Sequence, residues 1–157
     1  MALDQVDQNI VDHVAEFGWS CMKVQEDDQG PGFAYTIGLW ETFNVPELIV
    51  FGLHPDVMHA VLANAVFAIE QGKREFDSAR WEGLLDGYVC ETRLFHSAYV
   101  AEYMGFAHWY RQYRGAAGQI EAFQIFWPGV VDHLLPWQDG SDPSVIAAQP
   151  FHWEAPR

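Results

Sequence analysis

Residues 33–53, FAYTIGLWETFNVPELIVFGL, leave a chain little choice but to build a sheet around them. Phe33, Tyr35, Ile37 and Leu39 alternate with Ala34, Thr36, Gly38 and Trp40. Period-two alternation sends the two sets to opposite faces of a strand, and rings and β-branched residues suit that pleated surface. Gly38 inside the run marks a bulge or a close approach by another backbone. Glu41 to Asn44 is polar enough for a loop. Pro46 then holds Val45 extended and opens a second strand where a missing N–H is tolerated. Leu48-Ile49-Val50-Phe51 is continuously apolar, the pattern of a central strand buried on both faces. Gly52 and Leu53 end it.

The other elements are placed around this pair. Asp4 caps a helix whose Val6, Ile10, Val14 and Phe17 share one face, and Gly18 stops it. Trp19 to Gln25 reads as a strand leading through an acidic turn, Glu26 to Gly32, into a hairpin. Pro55 opens a second helix that runs to about Gln71. Its wide apolar face is interrupted by His59 and Asn64. Asp86-Gly87 is a two-residue hairpin signal between Trp81–Leu85 and Tyr88–Phe95. Tyr99, Tyr103, Phe106, Tyr110 and Tyr113 form one aromatic stripe on a third helix, Ser97 to Arg114. Ile120 to Trp127 is the last strand. Five prolines fall from Pro128 onward (Pro128, Pro136, Pro143, Pro150 and Pro156), so residues 128–157 read as an ordered, irregular tail held by its rings. The fold expected is α+β: a single domain over residues 1–157, with a mainly antiparallel sheet of about six strands and about three helices.

Tyr35-Thr36-Ile37-Gly38-Leu39, then Pro46-Glu47-Leu48 and Gly52-Leu53, resemble the bacterial family catalogued as domain of unknown function 4262. Gly18-Trp19, Asn64, the QIFWP stretch from Gln124 to Pro128, and Gln149-Pro150 fit the same pattern. The resemblance spans nearly the whole chain. It implies a compact domain of mixed helix and sheet, and it implies no activity.

Charge narrows the function classes. The formal net charge is −14, with eight Lys and Arg. A domain this acidic repels nucleic acid and anionic membrane surfaces and attracts a basic partner. Cys21 and Cys90, far apart and outside any CxxC spacing, are expected to stay reduced in a cytoplasmic protein. The acidic N-terminal stretch does not read as a targeting segment, and no apolar run approaches the ~20 residues that span a bilayer.

Local chemistry is sparse. Seven histidines include no HExxH or Cys/His cluster, so a metal site would have to be assembled from distant residues. No serine sits in a nucleophile elbow, and no phosphate or dinucleotide loop is present. Glu47, an acid adjoining an apolar strand, must be paired if buried, with its pKa raised. Glu47 and His54 are the acid–base candidates, with Tyr35 as a donor. Strand ends are where ligands gather, which puts Tyr35, Thr36, Glu47, His54 and Asn64 in one expected site. Trp127 and Gln149 join Tyr35, Thr36 and Asn64 as ligand-lining candidates. Each has a structural alternative: Glu47 capping a neighbouring loop, and Asn64 bonding to one. The reading preferred is a non-catalytic binding module with an acidic surface, such as an inhibitor or immunity protein acting on a basic protein. A small-molecule enzyme and a flavin-binding domain are the alternatives. Few cations are available for a flavin phosphate, and no cofactor is expected.

Overall fold

The computed structural model describes residues 3–154; Pro156 lies outside them. Six strands form one sheet: β1 (Ser20–Val24), β2 (Phe33–Ile37), β3 (Glu47–Phe51), β4 (Arg80–Leu85), β5 (Tyr88–Phe95) and β6 (Ala122–Phe126), in the order β1-β2-β3-β6-β5-β4. All neighbours are antiparallel except β3 and β6, which run parallel with Ile49 opposite Gln124. The fold is thus α+β and mostly antiparallel. As its apolar run implied, β3 is central and buried at every position.

Helices cover both faces of the sheet. α1 (Gln5–Phe17) starts where the Asp4 carboxylate accepts the Asp7 N–H, and it ends at Gly18 with φ 87°. Its Ile10 and Val14 pack with Tyr35, Ile37, Ile49 and Phe51 on one face. The other face carries Ala34, Leu48, Val50, Phe123 and Ile125. They pack on Met58, Val61, Leu62, Ala65 and Ile69 of α3 (Pro55–Glu70). Tyr35 and Ala34 therefore point opposite ways, as the alternation requires.

The expectation of about three helices is corrected: six occur among the described residues, four of them seven residues or longer. β2 ends at Ile37, and Leu39 and Trp40, expected in that strand, join Glu41 to Phe43, expected in a loop, to make α2 (Leu39–Phe43), entered through Gly38 at φ 94°. A Cβ on Gly38 would stand 2.9 Å from the Val14 side chain, so the close approach is made by α1. The single helix expected over Ser97 to Arg114 is two, α4 (Ser97–Tyr103) and α5 (Gly105–Tyr113), broken at Met104. The aromatic stripe does not share one environment: Tyr110 is buried, while Phe106 and Tyr113 stand exposed. The segment after β6 is irregular but for α6 (Pro143–Ala148), capped by Asp142.

Cys21 and Cys90 are free thiols. Burial pushes their pKa values to about 11 and about 12, which disfavours the nucleophilic thiolate. Among the described residues no helix is long and apolar enough to cross a membrane, and no group of three or more His, Cys, Asp or Glu is placed to hold a metal ion.

Candidate functional site

Glu47 opens β3 and is 2% exposed. Thr36 donates its hydroxyl to Oε1 at 2.8 Å, and the Leu39 and Trp40 amides donate to Oε1 and Oε2 at 3.2 and 3.4 Å. Glu47 is therefore the cap of α2, supplied from the neighbouring strand. The same Thr36 hydroxyl accepts the Leu48 amide at 2.9 Å, filling a gap where β2 leaves the ladder. Burial is the main force on the carboxyl and raises its pKa to about 7. The three donors oppose that shift and the nearby Glu41 adds to it.

A second buried carboxylate lies beside it. Glu41 on α2 faces Arg111 on α5, with Nε 3.6 Å from Oε1 and both side chains under a tenth exposed. Arg111 also donates from Nη1 to the Gln119 carbonyl at 2.7 Å and lies over the Trp40 ring. Glu41 Oε2 and Arg111 Nε are buried without a hydrogen bond. Sequence reasoning missed this pair. The sequence reads Glu41 as loop, and no local signal marks Arg111 as its partner, because the two lie 70 positions apart and meet only when α5 packs beside α2.

The other candidates are dispersed. The site expected to join Glu47 with His54 is not formed, because Glu47 is the first residue of β3 and His54 lies past its other end; at ~3.3 Å per residue the strand alone separates its terminal Cα atoms by about 13 Å. His54 is exposed, and its Nδ1 accepts the Asp56 amide at 3.1 Å, capping α3. Tyr35 lies on the face opposite Thr36. Its hydroxyl accepts the Phe106 amide at 3.3 Å, satisfying one of the N–H groups freed where α5 begins. Burial pushes its pKa to about 12. Asn64 is exposed rather than buried, and it donates to the Leu84 carbonyl at 3.1 Å. Trp127 and Gln149 do meet. The Gln149 side chain accepts the Trp127 amide and donates to the Trp127 carbonyl, both at 2.9 Å, in place of a strand partner. The Trp127 indole donates to the Phe51 carbonyl at 2.7 Å. These polar groups are bound to other parts of the fold.

Free space lies at the other end of β3. A half-open cleft of about 940 Å³ separates the acidic turn, Gln25 to Gly32, from the joint between β3 and α3, with Ala147 and Ala148 of α6 as a third wall. Gly52 makes that wall possible: its φ is 83°, and a Cβ would stand 2.4 Å from the Ala148 carbonyl oxygen. His54 reaches the cleft, whereas Tyr35, Thr36, Glu47, Asn64, Trp127 and Gln149 do not line it. The turn was legible as a turn, but its opposite wall required α6. A second cleft, about 830 Å³, lies between Asn44 to Pro46 and Arg74 to Arg80.

No curated protein and no solved structure matches the chain. The model of the family described as Domain of unknown function (DUF4262) matches residues 13–142, more than four-fifths of the sequence. That span takes in every strand, the Glu47 cap and the Glu41–Arg111 pair. The chain belongs to the DUF4262 family.

Proposed function

We propose that the chain is a non-catalytic binding module whose partner is a basic protein, in the manner of an inhibitor or immunity protein. The observation that carries this reading is the uncompensated acid on its surface. The chain has 22 Asp and Glu against eight Lys and Arg. Among the described residues, two of those cations pair with carboxylates, and both pairs are largely buried. Asp4, Asp12 and Glu16 on α1 and Glu26, Asp27 and Asp28 in the β1–β2 turn are exposed. A surface of one sign speeds and selects encounter with the opposite sign.

An acid–base enzyme would need Glu47 or His54 free to meet a substrate, but Glu47 is buried and occupied as a helix cap, and His54, which lines the larger cleft, has Nδ1 engaged in capping α3. A flavin would need cations for its phosphate, and no Lys or Arg lines the larger cleft.

The test is native mass spectrometry of the protein isolated from its own host, with the eluate compared at low salt and at about 1 M salt, where screening reaches ~3 Å. The expected result is a stoichiometric complex with one basic protein that salt dissociates and the purified chain re-forms. A bound metabolite or flavin with no protein partner would overturn the reading.

A further inference from the structure

The larger cleft carries charge of one sign. Its volume, about 940 Å³, lies at the upper end of the ~300–1,000 Å³ that accommodates organic ligands. Val24, Pro31, Leu53, Pro55 and Met58 give it an apolar wall, and Glu26 and Asp27 are its acidic side chains. Neither carboxylate is in an ion pair among the described residues. The N-terminus of α3 borders the cleft, and such an end ordinarily favours anions. Here it is closed. Pro55 has no N–H, the Asp56 amide is taken by His54 Nδ1, and the Val57 and Met58 amides are taken by the His54 carbonyl. Asp56 adds negative charge to that turn. The opposite wall is the carbonyl end of α6.

We propose that this cleft receives a primary ammonium or guanidinium group on an apolar stem, namely a lysine or arginine side chain projecting from a basic partner protein. The inference rests on the binding-module reading above and gives it a location. The methylene stem lies along Pro31, Leu53 and Met58, as long basic side chains do on apolar surface. The charged head meets Glu26 and Asp27 in charge-assisted hydrogen bonds.

Gly30 supplies a specific block. It lines the cleft, its φ is outside the left-handed region, and nothing lies within 4 Å of where its Cβ would stand. Gly30→Trp therefore adds a ring at the lining of the cleft without forcing the backbone. A second variant, Glu26→Gln with Asp27→Asn, removes the charge. It keeps an oxygen on residue 27 to accept the Gln29 amide, as Asp27 does now. The full chain is titrated with Nα-acetyl-lysine amide and with its neutral analogue Nα-acetyl-norleucine amide, followed by backbone amide NMR.

Saturable shifts confined to residues 24–32, 52–58 and 147–148 are expected with the lysine probe alone, and each variant weakens binding about tenfold or more. No saturable shift, shifts elsewhere, or equal binding of norleucine overturns the pocket. If a basic partner is captured undiminished by Gly30→Trp, the location fails and the binding-module reading stands. If the lysine probe binds as expected but no basic protein does, the binding-module reading fails, and the cleft takes free small amines instead.

Discussion

Glu47 is bonded by three donors and is still hard to ionise, because burial costs its charged form more than the three donors return. Its folded pKa of about 7 lies above the ordinary 4.5, so the native state holds a proton that the unfolded chain has already released. Its contribution to stability is full below about pH 4.5 and is lost as pH rises toward 7, by about 3 kcal/mol. Glu47→Gln keeps one oxygen for Thr36 and Leu39 and removes the charge. Urea unfolding at several pH values is expected to show the variant gaining on the wild type between pH 4.5 and 7. A constant difference between the two across that range would show that Glu47 does not titrate there. The sequence marked Glu47 as an acid beside an apolar strand, and capping was one reading of it. What the sequence did not mark was the recipient, because the amides it caps belong to a helix that Glu47 itself helps to form.

Elements legible in the sequence are those whose signals are local. The Asp4 cap, the Gly18 stop, Pro55 and the Asp86-Gly87 turn each act within a few residues, and each lies where expected. Elements fixed from outside were not legible. α2 is five residues long and depends on a carboxylate from β3. The break at Met104 lies inside an unbroken aromatic period, and an amide freed there is taken by Tyr35, 71 positions away. Gln149 is a third case, since it completes Trp127 across 22 positions. Gln149→Ala leaves a buried N–H and C=O unpaired, which costs about 2 kcal/mol. The Trp127 amide is then expected to lose hydrogen-exchange protection before β6 does. If its protection falls only in step with the whole strand, the Gln149 bonds are not what holds that segment.

At the scale of the molecule, the sequence showed the strand count and the mainly antiparallel character but not the order. Hairpin partners are neighbours in the chain, whereas β3 and β6 meet across about 70 intervening residues, with no turn to announce it. That parallel junction gives the sheet a seam. β1-β2-β3 lie on one side of it and β4-β5-β6 on the other, each paired in antiparallel fashion within itself. The connection between the two sets passes through exposed Gly72, beyond the end of α3. The two sets also share one core, in which α3 packs on β4 of the second set as well as on β2 of the first. Cutting the chain between Gly72 and Lys73 should give two fragments that each aggregate alone through a bare strand edge. Mixed at equal concentration they should recover the native circular dichroism, with a melting temperature that now depends on dilution. Failure of the mixture to recover would mean that the covalent link, and not the seam, holds the halves together. If the mixture does recover, evolution is free to exchange one half while keeping the other, as it does with partners in a complex, provided the edge at β3 and β6 stays complementary.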